Sequence, residues 1–107
     1  MFLLVFKTRL VYNLLNNLQA EEVHSIFYTI GGTMGVNDFE GSVCLNKLYD
    51  TWLVYRLFEG SLIPIGTYSY LEQAIEVFLE KIIIDDDKRI RICDEIFNNN
   101  KRNTKNL

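Results

Sequence analysis

One histidine, one proline and two cysteines in 107 residues leave little for catalysis or metal binding to work with. His24 stands alone, and no C-x-x-C pair accompanies it, so no donor set has zinc-ligand spacing. No serine or cysteine sits in a nucleophile elbow, and no carboxylate lies at a motif spacing from His24, which removes the hydrolase triads. Cys44 and Cys93 are far apart and flanked by apolar residues. That pattern reads as two small buried hydrophobes in a reducing compartment rather than a disulfide. Basic excess is missing too. The formal charge of −3 points away from nucleic acid and anionic membrane, and toward basic partners. Long apolar runs are absent: Met1–Phe6 stops at Lys7, short of the roughly 7–15 residues of a signal-peptide core. No stretch reaches the ~20 residues of a membrane span. The expectation is a cytoplasmic protein, not an enzyme, with no cofactor and no metal.

Apolar residues make up 49% of the chain and aromatics 13%, a composition that folds. The length suits one domain, placed at 1–98, followed by a disordered polar tail at 99–107 (N-N-K-R-N-T-K-N-L). Leu3, Phe6, Leu10, Leu14 and Leu18 recur at helical spacing and predict a helix within Phe2–Leu18, starting as late as Lys7. Val23–Ile30 is β-branched and aromatic and reads as a strand ended by Gly31-Gly32.

Ser42–Leu48 and Thr51–Phe58 read as further strands joined by a tight Tyr49-Asp50 turn. In the second of these Trp52, Val54, Arg56 and Phe58 share one face, and Leu53, Tyr55 and Leu57 the other. Apolar character on both faces predicts a central strand. Gly60-Ser61 turns the chain into Leu62–Tyr68, where Pro64 requires an edge or a bulge. Ser69 and Glu72 have capping-box spacing ahead of Leu71, Ala74, Ile75, Phe78, Leu79 and Ile82, the apolar stripe of a helix. Asp85-Asp86-Asp87 breaks that helix and caps another over Asp87–Phe97, with Ile90, Cys93, Ile96 and Phe97 as its stripe. The expected fold is α+β: an N-terminal helix, a four-stranded antiparallel meander, and one or two C-terminal helices on one face.

Function-bearing groups are few. Gly31-Gly32-x-x-Gly35 lacks the following helix pattern and Lys-Ser pair of a phosphate cradle. Asp85–Asp87 lacks the loop pattern of a calcium site, and reads either as a solvated turn or as an acidic patch for a basic partner. The segment Gly31–Gly41 is the longest irregular stretch, and it carries Asp38, Phe39 and Glu40, with Phe39 as an exposed anchor. Tyr70 is a second anchor, and Glu59 adds charge. The helix–strands–helix order also fits the α-β-β-β-α outline of a small RNA-binding or regulatory module. That alternative lacks a basic stripe, since Lys101, Arg102 and Lys105 sit in the polar tail.

Between residues 24 and 82 a set of short motifs is present. It comprises Tyr28-Thr29-Ile30-Gly31-Gly32, Cys44-Leu45, Trp52-Leu53-Val54-Tyr55, Gly60, Tyr68-Ser69, Glu72, Ala74 and Phe78-Leu79. This set resembles small immunity proteins of bacterial polymorphic-toxin and contact-dependent-inhibition systems. Their pattern has Glu-Arg-Gly where this chain has Phe58-Glu59-Gly60, so its arginine is absent here. The resemblance implies a protein that binds a cognate toxin domain and occludes its active site. The partner so implied is a basic protein toxin, nucleases among the candidates, met by Asp38, Phe39, Glu40, Glu59, Tyr70 and Asp85–Asp87.

Overall fold

A computed structural model describes residues 8–31 and 40–105, with side chains described over 9–31 and 40–98. The chain forms α1 (Thr8–Ala20), β1 (Tyr28–Ile30), β2 (Val43–Leu48), β3 (Thr51–Phe58), β4 (Ser61–Tyr68), α2 (Leu71–Ile82) and α3 (Asp86–Lys105), an α+β arrangement. Leu3 and Phe6 of the expected N-terminal stripe lie outside the described residues. Contacts divide the chain into two compact units, one of Met1–Val23 with Asp85–Leu107 and one of His24–Ile84. No described helix is long and apolar enough to cross a membrane.

In the unit His24–Ile84 the strands lie in the order β1-β2-β3-β4. The expected antiparallel meander is corrected at its first step: β1 pairs parallel to β2, with Tyr28 opposite Val43 and Ile30 opposite Leu45, so the sheet is mixed. Connection length is the physical reason. A hairpin needs only a tight turn, whereas parallel strands need a long crossover, and the link from residue 31 to 42 is of that length. β1 is also shorter than the expected Val23–Ile30. Ser25–Phe27 is a 3-10 turn, and the His24 Nδ1 accepts the Ile26 amide at 3.1 Å to start it. The lone histidine is therefore an exposed cap.

β2, β3 and β4 pair antiparallel, and β3 is interior, as its two apolar faces predict. Cys44, Leu53, Tyr55 and Leu57 cluster on one face, with Leu48 packed against them. Val43, Leu45, Trp52 and Val54 are buried on the other. α2 covers this second face. Phe78 meets Tyr28 edge to face, with centroids 6.2 Å apart, and Tyr28 shares a side of the sheet with Val43. Lys47, opposite Trp52, holds its ammonium 5.3 Å from the indole centroid. Both expectations for Pro64 hold: β4 is an edge strand, and the register shifts where Tyr55 pairs with Pro64 and Val54 with Gly66. Gly66 leaves room for the Tyr68 ring. A methyl group there would sit 2.8 Å from Tyr68 Cζ.

α2 starts one residue later than the capping-box reading requires. Tyr70 is still extended (φ −113°, ψ 135°) and is the N-cap, without a side-chain hydrogen bond. Ser69 therefore falls outside the cap position, and the predicted box does not form. Glu72 stays in the first turn, where its charge complements the helix dipole. Leu71, Ala74, Ile75, Phe78 and Leu79 are buried, as their spacing predicts.

The unit of α1 and α3 has Leu10, Leu14, Leu18, Ile92 and Ile96 buried. Of the expected α3 stripe Ile96 is fully buried, but Ile90 is 53% exposed, and Ile92, one turn before Ile96, is buried in its place. Polar contacts accompany that phase. The Lys88 ammonium donates to the Glu21 carbonyl at 3.1 Å, and the Arg91 guanidinium meets the Glu21 carboxylate through Nη2 at 3.1 Å and Nε at 3.4 Å. Arg91 holds the Glu21 carboxyl below its ordinary value of 4.5. The pair therefore contributes above that value, and its contribution is lost as pH falls through the lowered one. α3 continues to Lys105 and takes in most of the stretch 99–107 that composition marks as a disordered tail. Asparagine and threonine disfavour a helix by only a few tenths of a kcal/mol each.

α1 ends in a Schellman motif: the Val23 amide donates to Leu18 O at 2.9 Å and the Glu22 amide to Gln19 O at 3.0 Å. Glu22 holds the left-handed position at φ 61°, where glycine is unstrained. Glu22→Gly should therefore stabilise this unit by about 0.5–1 kcal/mol. The check is the denaturation midpoint by circular dichroism, where an unchanged or lower midpoint would contradict the motif.

Candidate partner-binding surface

The β3–β4 hairpin turns on two residues, Glu59 (φ 51°) and Gly60 (φ 76°), between the paired Phe58 and Ser61. Positive φ at both centres makes it a type I′ turn, the form whose twist matches the flanking strands. The turn is thus Glu59-Gly60, one residue earlier than the expected Gly60-Ser61. Its two amides point at a carboxylate from far away in sequence. Glu40 accepts the Glu59 amide through one oxygen and the Gly60 amide, at 3.4 Å, through the other.

The residues after Glu40 lie along the same hairpin. The Gly41 amide donates to Leu57 O at 2.8 Å, and the Leu57 amide to Ser42 O at 3.2 Å. Arg56 Nη1 donates to Gly41 O at 3.0 Å. Two groups nominated separately from sequence, the acidic end of the Gly31–Gly41 segment and Phe58-Glu59-Gly60, are therefore one structure. Glu40 acts in it as an intramolecular clamp.

Starting beside Tyr68 at the far end of β4 and reaching Tyr28 on β1 with Phe78, α2 crosses the sheet diagonally. The corner at the hairpin turn lies beyond it. On the α2 side of that corner Phe58 is 55% exposed and Ile63, its diagonal neighbour across the strands, 45%. Leu62, on the opposite face, is also exposed. Sequence reasoning missed Ile63 as a surface residue and marked Phe58 only through the segment Phe58-Glu59-Gly60. The one available signal was the motif difference at Phe58, where an apolar ring stands in the segment that the resemblance makes charged.

The other nominated residues fall elsewhere. Asp38 and Phe39 lie outside the described residues. Tyr70 is 66% exposed, but it stands at the opposite end of β4 from the turn, roughly 23 Å of strand away. Asp85, Asp86 and Asp87 belong to the α1–α3 unit and begin α3. Asp85 Oδ1 accepts the Asp87 amide at 2.9 Å and the Lys88 amide at 3.3 Å, and Asp86 pairs with Arg89 at 2.8 Å. The acidic run is a helix cap with dipole-complementing charge. Among the described residues no group of three histidine, cysteine or acidic side chains could hold a metal ion, and neither Cys44 nor Cys93 forms a disulfide. No protein-family model, curated protein or solved structure matches this chain.

Proposed function

We propose that the protein is an immunity protein: it binds a cognate bacterial toxin domain and blocks that domain's active site, without catalysis of its own. The observation that supports this most is the clamped hairpin corner. An apolar pair, Phe58 and Ile63, is exposed close to the acidic Glu40 and Glu59 at the end of the paired β3–β4 hairpin. Exposed aromatics on a fixed scaffold suit an inhibitor, because little ordering entropy opposes binding. The acidic balance favours a basic toxin and speeds encounter with it. The motif set over residues 24–82 is the second support.

The RNA-binding alternative needs free cations along a face. Lys88, Arg89 and Arg91, the cations among the described α3 side chains, are all engaged with Glu21 or Asp86. A filter-binding titration with duplex RNA at low salt should therefore show no saturable binding.

The direct experiment is to read the genes adjacent to this one for a toxin domain and to co-express the domain found there with this chain. Growth should be restored, and the two proteins should co-elute as a 1:1 complex that weakens as salt rises. Continued toxicity with full expression of both chains would overturn the reading. Charge reversal is best made at Glu59, since Glu40→Lys would also release the turn.

A further inference from the structure

The one histidine stands where the chain passes from one compact unit to the other: Val23 closes the first and His24 opens the second. Its backbone is extended (φ −66°, ψ 137°), and its Nδ1 accepts the Ile26 amide at 3.1 Å. Two backbone bonds complete the 3-10 turn, from the Phe27 amide to His24 O at 3.1 Å and from the Tyr28 amide to Ser25 O. The Phe27 ring lies against the imidazole in a T-shaped pair, with centroids 6.3 Å apart. Ile26 and Phe27, carried on the turn, are exposed, whereas Tyr28, the next residue, is buried and meets Phe78.

A ring nitrogen that accepts a hydrogen bond carries no proton, so this cap is made by a neutral imidazole with its hydrogen on Nε2. An imidazolium has N–H on both nitrogens and accepts nothing. We propose that His24 is a pH-operated cap. At neutral pH it fixes the turn that leads into β1. In acid Nδ1 takes a proton from solvent, the Ile26 amide loses its acceptor, and the turn that carries Ile26 and Phe27 loosens. The titratable groups around it are few. β1 packs on the turn and brings the Tyr28 phenol, whose burial keeps it neutral. The chain before the turn brings Glu21, paired with Arg91, and Glu22. Among the described residues no ion pair or further hydrogen bond reaches the imidazole, so the Ile26 amide is the group that a proton displaces.

The other crossing between the units, from Ile84 to Asp85, is capped by a carboxylate instead. Asp85 Oδ1 accepts the Asp87 and Lys88 amides. A carboxylate is still an acceptor at a pH where an imidazole has become a donor. Mild acid therefore releases the cap of one connection and leaves that of the other in place. This inference stands apart from the toxin-binding reading and does not depend on it.

The test is a nitrogen-15 NMR titration of the full chain from about pH 8 to about pH 5, the range in which imidazoles ordinarily change charge. At the upper end the ring nitrogen shifts should show the Nε2–H tautomer. As pH falls, the Ile26 amide proton should move upfield with the same midpoint as the His24 ring protons. The heteronuclear NOE of Ser25, Ile26 and Phe27 should drop with it, while the Asp87 and Lys88 amides stay in place. His24→Asn caps through an uncharged oxygen and should keep the turn ordered throughout the titration. His24→Ala should give the loosened turn at every pH. His24 is exposed, so circular dichroism should be unchanged in both variants. An Nδ1–H tautomer at neutral pH, or an Ile26 amide that does not follow the ring, would overturn the proposal. So would the same titration of the turn in His24→Asn, or equal loosening at Asp87 and Lys88.

Discussion

Phe78→Ala is expected to destabilise the sheet unit by about 3–5 kcal/mol, a large part of the roughly 5–15 kcal/mol that holds a small domain together. Phe78 is fully buried on α2 and meets Tyr28 edge to face, so truncation opens a cavity where the helix reaches β1. Trp52, the single tryptophan, is buried in the same unit, and its fluorescence reports the transition during urea denaturation. A second readout is specific to the contact. Burial raises the Tyr28 phenol above its ordinary 10.0. The folded chain therefore holds that proton longer, and stability falls as pH rises beyond that value. In the alanine variant the phenol should titrate closer to 10.0, whereas Glu76→Ala, on the exposed side of α2, should alter stability by no more than about 0.5 kcal/mol. Equal midpoints for the two variants would contradict the placement of α2.

Ile92→Ala and Ile90→Ala form the second test, two residues apart on α3 with opposite outcomes. Ile92 is fully buried and its loss should cost about 2–5 kcal/mol. Ile90 is 53% exposed, and its truncation should stay within about 0.5 kcal/mol. Far-UV circular dichroism follows both, because α1 and α3 make up this unit. A larger loss at Ile90 than at Ile92 would mean that the helix faces the other way.

That pair also marks where sequence pattern runs out. Residues 90–97 are apolar on overlapping faces: the expected stripe runs through Ile90, Cys93, Ile96 and Phe97, Ile92 lies four residues before Ile96, and periodicity alone does not choose between Ile90 and Ile92. The buried pair is Ile92 with Ile96, and on that phase Lys88 and Arg91 reach Glu21, about seventy residues away in the chain. β3 was legible because its alternation is local and both of its faces are apolar. The direction of β1 was not, since side-chain period is the same for parallel and antiparallel pairing. Only the length of the link after Ile30 carried that information.

The candidate site was legible in pieces. Glu40 and Glu59 were nominated for their charge, but the clamp joining them spans 19 and 20 residues and leaves no local trace. Phe58 continues the inward alternation of Trp52, Val54 and Arg56, so its pattern reads as core. It is exposed because α2 crosses toward β1 and leaves the corner bare, a consequence of how the helix lies on the sheet. The capping role of Asp85–Asp87 was legible, because aspartate before a helical stripe is a local signal, and its hydrogen bonds express it.

The most direct measurement is the dissociation constant, by isothermal titration calorimetry, of Phe58→Ala against wild type for a toxin domain that the protein neutralises on co-expression. If the hairpin corner is the binding surface, truncating its exposed aromatic anchor should weaken the complex roughly tenfold or more, with the urea midpoint unchanged. A dissociation constant within about twofold of wild type would contradict it.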